Sequence, residues 1–259
     1  MRPGPAAVYP RGMVETDTLR LTVLSDVHGN LEALKSVLAD MDGMRIDDAV
    51  HLGDAVGYGP EPEAVLELLA ERGIATILGN HELGLIDPLQ AATFNPQALK
   101  TLTATRGLLS ERAMDRIREL PRVILRHGCR FVHACPPESV NRYLYMLTPD
   151  ERHSVFHGYP EELCFVGHTH ELALLAHEDG RTRRAGLGLG VTRLPEGARY
   201  IINAGSVGQP RDGDNRAKYV VWEPRTRSLD VRAVAYDIAA TARAITARGL
   251  PAINAERLF

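Results

Sequence analysis

Leu19-Arg20-Leu21-Thr22-Val23-Leu24-Ser25-Asp26-Val27-His28-Gly29-Asn30 changes its periodicity partway along, and that change decides the fold class. Apolar residues alternate from Leu19 to Ser25, the pattern of a short strand. Beyond it Leu31, Leu34, Leu38 and Met41 fall on one helical face, and Asn30 stands where an N-cap belongs. Asp48 to Leu52 reads as a second strand. A helix follows, opened by Pro62, carrying Val65, Leu66, Leu68 and Leu69, and closed by Gly73. Ile74 to Leu78 is a third strand. Strands at intervals of roughly 27 residues, each followed by a helix, match βαβ units and imply a parallel sheet with right-handed crossovers.

Downstream the pattern shifts. Residues from about 95 to 119 read as helical. Val123 to Leu125 and Phe131 to Ala134 form a hairpin around His127-Gly128. Glu162 to Val166, Leu172 to Ala176, Ala198 to Ile202, Tyr219 to Trp222 and Leu229 to Val234 are further strands, separated by turn residues. Asp237 to Arg248 closes the chain as an amphipathic helix with Ile238, Ala242 and Ile245 inward. Helices in the first half and strands in the second suggest an α/β protein of two face-to-face sheets with helices outside. No internal repeat or linker is visible. Residues 19–259 are therefore expected to form a single domain, behind a proline- and glycine-rich flexible arm over residues 1–18 that holds a second start, Met13.

Composition narrows the function. The hydrophobic fraction of 44% supplies ample core for 259 residues. A net charge of −3 disfavours a nucleic-acid partner, which would want a basic stripe. Substrate phosphate would have to be neutralised locally, by metals or a few arginines. Cys129, Cys135 and Cys164 contain no C-x-x-C pair, which argues against a disulfide framework or structural zinc and for a reducing compartment. No apolar run is long enough to span a bilayer, and no signal peptide is evident, so a cytoplasmic location is expected.

The chemistry gathers where strands end. Asp26-Val27-His28 follows the first strand, Gly53-Asp54 the second, and Gly79-Asn80-His81-Glu82 the third; later strands end at His133 and Gly167-His168-Thr169-His170. Ligands of α/β sheets bind outside the carboxyl ends of strands, so all five clusters can converge on one crevice. Asp, His and Asn are ligands for first-row metals. A chance D-x-H arises in about one such chain in three, but Gly-Asn-His and Gly-His-x-His each in roughly one in a hundred. Together they make coincidence a poor explanation. The other histidines fall outside the constellation: His51 inside a strand, His127 in a turn, and His153, His157 and His177 on surface segments. Gly186 to Gly190 lacks the strand-turn-helix setting of a dinucleotide loop and reads as a glycine-rich hairpin or loop. Asp212 to Asn215 lacks calcium-loop spacing.

These five blocks, in this order, resemble those of the calcineurin-like metallophosphoesterases. Asn203-Ala204-Gly205-Ser206-Val207-Gly208-Gln209-Pro210-Arg211 looks like the closing segment of their small prokaryotic phosphodiesterase branch. The resemblance implies a four-layer αββα sandwich of two mixed sheets with a dinuclear site at the strand carboxyl ends. By matching position, Asp26, His28 and His170 would hold one divalent metal, Asn80, His133 and His168 a second, and Asp54 would bridge them. Manganese is favoured among Mn, Fe, Zn, Ni and Co. The implied reaction is hydrolysis of a small phosphodiester or nucleotide, dinucleoside polyphosphates included, by a water activated between the metals. His81 would be the general acid, and Asn30 and Arg211 would bind phosphate. Ala134 to Glu138, with Tyr143 and Tyr145, is a candidate lid. Cys135 lies nearby but has no base assigned to it.

The chain also departs from part of that superfamily. Where its protein phosphatases read G-D-x-V-D-R-G, this sequence has Gly53-Asp54-Ala55-Val56-Gly57-Tyr58-Gly59. The aspartate that orients the acid histidine and the phosphate-gripping arginine are both missing, leaving Glu82 as the candidate orienter. A phosphomonoesterase or phosphoprotein phosphatase, a nuclease and a non-catalytic scaffold are the competing functions. The expected partner is a small phosphorylated substrate, with no membrane and with homo-oligomer formation left open.

Overall fold

The structure, a computed structural model, describes residues 19–259; the expected flexible arm lies outside the described residues. β1 (Leu21–Leu24), α1 (Leu31–Asp42), β2 (Asp48–His51), α2 (Pro62–Glu71) and β3 (Ala75–Thr76) are the expected βαβαβ unit. β1, β2 and β3 run parallel. Asn30 caps α1 by accepting from the Ala33 amide at 3.1 Å. β3 is shorter than expected. The amide of Leu78 bonds the Pro121 carbonyl at 2.8 Å, which takes the chain out of the ladder. The helical stretch that follows is α3 (Asn80–Ile86), α4 (Pro88–Ala91), α5 (Pro96–Arg106) and α6 (Glu111–Arg118), with Gly107 ending α5 and Ser110 capping α6.

The second half supplies β4 (Val123–Arg126), β5 (Cys129–Val132), α7 (Pro149–His157), β6 (Leu163–Val166), β7 (Leu172–Glu178) and β8 (Arg181–Gly186). Then come β9 (Gly190–Arg193), β10 (Arg199–Ala204), β11 (Ala217–Glu223), β12 (Ser228–Val234), α8 (Ile238–Ala247) and α9 (Ala252–Glu256). The strands form two six-stranded mixed sheets, β3-β2-β1-β11-β12-β9 and β4-β5-β6-β10-β7-β8. Gly186 to Gly190 is a loop and not a hairpin turn: β8 and β9, on either side of it, belong to different sheets.

Alternation along each strand sends side chains to two cores. Leu21, Val23, Val50, Leu52, Phe131, Phe165, Ile202 and Trp222 meet between the sheets. Leu24, Leu34, Val37, Leu38, Val65 and Leu69 fill the layer under α1 and α2, and Val155, Phe156, Leu175 and Ile201 the layer under α7. The result is the four-layer αββα arrangement. β5, β6 and β10 are mutually parallel, as are β1, β2 and β3, and the polar clusters after these strands come together at one edge of the sandwich. No described helix is long and apolar enough to cross a membrane.

Candidate metal centre

Asp26, His28, Asp54 and Asn80 follow strands of the first sheet; His133, His168 and His170 follow strands of the second. The chain turns sharply at these points. Asp26, His28, Asp54, His168 and His170 all have positive φ, between +51° and +68°, a region that costs a residue with a side chain on the order of 1–2 kcal/mol. Gly167 is fixed by crowding, because a Cβ there would lie 1.8 Å from Ser25 Oγ. The sharp turns aim the side chains at one another.

The donor atoms form two adjoining groups. In the first, His28 Nε2 is 3.1 Å from His170 Nε2, and Asp26 Oδ1 lies 3.3 Å from His170 Nε2 and 3.8 Å from His28 Nε2. In the second, Asn80 Oδ1 is 2.9 Å from His133 Nε2 and 2.8 Å from His168 Nδ1. Asp54 stands between them, its Oδ2 3.4 Å from His133 Nε2 and 3.7 Å from His28 Nε2. All seven residues predicted as ligands are brought together.

Their surroundings suit cations. His28 Nδ1 donates to the Val56 carbonyl at 2.9 Å, His133 Nδ1 to Leu52 at 2.7 Å and His170 Nδ1 to Gln209 at 2.6 Å. Such bonds orient the rings and turn each Nε2 toward the other donors; on a neutral ring they leave Nε2 its lone pair. Two bare nitrogens, on His28 and His170, then face each other, and Asp26 Oδ1 is buried with no hydrogen-bond partner. Lone pairs confronted in this way need a proton or a metal ion between them. Imidazole, carboxylate and amide oxygen together fit a divalent first-row metal.

The charges of these groups reflect the same crowding. Burial alone would raise Asp26, yet the facing His170 and then His133 bring it far below the usual carboxylate range. Burial would also lower His133, but Asp54 beside it pushes the ring up to about 9. Burial takes His168 down to about 3 and His81 to about 4, leaving both rings neutral.

His81 stands beside the ligands and lines a cleft of about 340 Å³ with Tyr58, Gln90, Phe94, Asn141, Tyr143 and Arg211. Its ring packs between Tyr58, His28 and Phe94 at centroid distances of 4.7, 4.8 and 5.1 Å. Its Nδ1 is buried with no partner. Glu82, the expected orienter, accepts instead from the amides of Asp54 (2.8 Å), Val56 (3.0 Å) and Gly79 (3.0 Å). Burial and the charge of Asp54 push that carboxyl up to about 7, against the pull of these amides. The Glu82 carboxylate therefore holds the ligand loops together and gives His81 Nδ1 no hydrogen bond. Glu82→Ala should lose about 3 kcal/mol or more of stability, since three buried donors go unpaired at about 1–3 kcal/mol each. Denaturant unfolding of parent and variant measures it.

Asn30 and Arg211 are placed differently. Asn30 is buried; its Oδ1 accepts from Ala33 and Thr241 and its Nδ2 donates to the Gly208 carbonyl, and it does not line the cleft. Arg211 does line it, exposed, with its guanidinium 6.0 Å from the Tyr58 ring centre. Tyr143 stacks on His168 at 4.2 Å and walls the cleft, whereas Tyr145 and the turn at 134–138 are not part of that wall. Cys135 is buried, which pushes its thiol up to about 11, far from a nucleophile. His51 is fully buried and is kept neutral by burial, which lowers it to about 4. Gln90, Phe94 and Asn141 also line the cleft, and the sequence reading did not single them out. No pattern marks them, because α4, the turn between α4 and α5, and the segment before α7 carry them separately.

Comparison with known proteins agrees with this architecture. Residues 19–227 match the calcineurin-like phosphoesterase superfamily domain. The uncharacterized protein MJ0912 of Methanocaldococcus jannaschii is 34% identical over 245 residues, covering 92% of this chain and 97% of its own length. A metallophosphoesterase from Sphaerobacter thermophilus is 35% identical with a TM-score of 0.78, covering 93% of this chain and 98% of that one. The hypothetical protein PH1004 from Pyrococcus horikoshii shares the fold at 19% identity, with a TM-score of 0.74 over 93% of this chain and 98% of its own. With the family domain matched over most of its length and a relative above 30% identity along nearly all of it, the chain belongs to the calcineurin-like phosphoesterase superfamily.

Proposed function

We propose that the protein is a dinuclear metal-dependent hydrolase of small phosphodiesters or nucleotides, dinucleoside polyphosphates included. The observation that carries this reading is the meeting of seven donor groups from both sheets beside the cleft, with the Nε2 atoms of His28 and His170 facing one another at 3.1 Å. Asp26, His28 and His170 would hold one divalent ion and Asn80, His133 and His168 the other, with Asp54 reaching both. Manganese is the favoured ion. When bound, such a pair lowers the pKa of a water between the ions and neutralises charge developing on the phosphate.

The chain's own groups supply the rest. His81 would give a proton to the leaving oxygen. Burial keeps the ring neutral, and an arriving phosphate anion favours its charged form, as any opposite charge nearby does. Arg211 comes from beyond β10 to stand beside Tyr58, and it provides a cation for phosphate where the 53–59 loop has none. Tyr143 and Phe94 offer ring faces and Gln90 and Asn141 offer amides, a neutral wall suited to the non-phosphate part of a diester. A cleft of about 340 Å³ is the size of a small-molecule site. A cytoplasmic location fits such substrates.

The test is metal analysis of purified protein, followed by a Mn²⁺-supplemented panel of phosphomonoesters, phosphodiesters and dinucleoside polyphosphates. Faster turnover of bis(p-nitrophenyl) phosphate than of p-nitrophenyl phosphate is expected. The reverse order would favour a phosphomonoesterase, and no hydrolysis with both ions bound would favour a scaffold. Gly57 gives a sharper check on His81. At φ +92° its Cβ position is 2.3 Å from His81 Nδ1, so Gly57→Ala must displace the ring. About 10²-fold lower kcat is expected, the scale of a 1 Å misplacement, with metal content unchanged.

A further inference from the structure

Outside the cleft, on the far side of the second sheet, a second set of histidines comes together. His153 and His157 are one helical turn apart on the exposed face of α7. His177 lies on β7 and is only 6% exposed, its ring stacked on Phe156 of α7 at 4.9 Å. The three rings lie 4.3, 5.2 and 5.3 Å apart between centroids, and one ligand nitrogen from each falls within 4.8 Å of the others.

The partners of these rings leave nitrogens free. His157 Nδ1 donates to the His153 carbonyl at 2.8 Å, which leaves its Nε2 with a lone pair. His177 Nδ1 is 2.9 Å from Thr182 Oγ1 on β8, the kind of outer contact that orients a metal-binding imidazole. Burial, and then the neighbouring His153 and His157, keep His177 below its ordinary value, so its ring is neutral at neutral pH. The group contains no carboxylate. A set of three imidazoles suits Zn²⁺, Ni²⁺ or Cu²⁺ better than Mg²⁺ or Mn²⁺, unlike the mixed donors of the cleft.

We propose that His153, His157 and His177 form a separate metal site, which binds a zinc-class ion through three imidazole nitrogens and ties α7 to the β7-β8 hairpin. A tetrahedral zinc with bonds of about 2.0–2.1 Å sets its ligand nitrogens roughly 3.3 Å apart. The buried His177 is the fixed point. The two exposed side chains on α7 turn toward it to close the remaining gap.

The experiment titrates the chelator-stripped, full-length chain with Zn²⁺ alone and counts bound ions. The parent should bind one more zinc per chain than His153→Ala/His157→Ala, because ions held in the cleft are common to both. Equal counts at equal affinity would overturn the proposal. His177→Gln separates a three-ligand site from a mere pair of surface histidines, and the extra zinc should bind at least about 100-fold more weakly in it. A folded His177→Gln protein with parental affinity would also overturn the site. Should that variant not fold, Thr182→Val decides: about 10-fold weaker zinc binding is expected, as for loss of an outer partner, and parental affinity would count against the site.

Discussion

His81→Ala is expected to lower turnover of a phosphodiester by about 10²–10⁴-fold, the usual worth of a positioned general acid, while both metals stay bound. The ring is packed among Tyr58, His28 and Phe94, and the bond this residue gives to a ligand, Asp54 Oδ1, comes from its backbone amide, which alanine keeps. A second role is open to it on geometry alone, since one donor atom each of His28, Asp54 and His81 also lie within 4.8 Å of one another. Metal analysis of the purified variant separates the two. An unchanged metal content with slow turnover fits the acid; a lost ion makes His81 a ligand. A variant as fast as the parent would remove it from the chemistry altogether.

A larger loss, with a different signature, should follow Asp54→Asn. The substitution keeps the shape and removes the charge that stands between His133 and His28. The Oδ1 side would still face the His81 amide, which it meets at 2.9 Å, so the fold should survive. Metal content is expected to fall and hydrolysis to drop by at least about 10³-fold, equivalent to about 4 kcal/mol of transition-state stabilisation. Circular dichroism checks folding, and metal analysis with single-turnover kinetics checks the rest. Full metal content at parental speed would mean that the two donor groups do not share Asp54.

The strands of the parallel unit were legible because apolar residues recur in each at strand spacing, and Asn30, Pro62 and Gly73 punctuate them. The donor residues were legible because strand ends of an α/β sheet face one edge. Other features carried no such mark. β8 is polar and exposed, so no alternation announces it. α7 carries a Thr148-Glu151 capping box and Pro149 in its first turn, but no apolar stripe marks it. The bond from Leu78 to Pro121 that shortens β3 is tertiary and cannot be read locally. Nor can the positive φ of Asp26, His28, Asp54, His168 and His170, which the surrounding fold imposes against local preference. Glu82 shows the same limit. Its position beside His81 in sequence suggested an orienter, and only the fold shows its carboxylate turned toward the 54–56 loop.

Four of the seven donor groups hang from one sheet and three from the other, so any ion held among them is a cross-link between layers that are otherwise joined mainly by apolar contact. Mass action then makes the free ion concentration a stability variable. An ion at 100 times its dissociation constant adds about 2.7 kcal/mol to the folded state. Chelation should therefore lower the melting temperature as well as stop hydrolysis, and the part of that shift due to the cleft ions should shrink in Asp54→Asn. The apparatus for catalysis would also be the clasp of the sandwich.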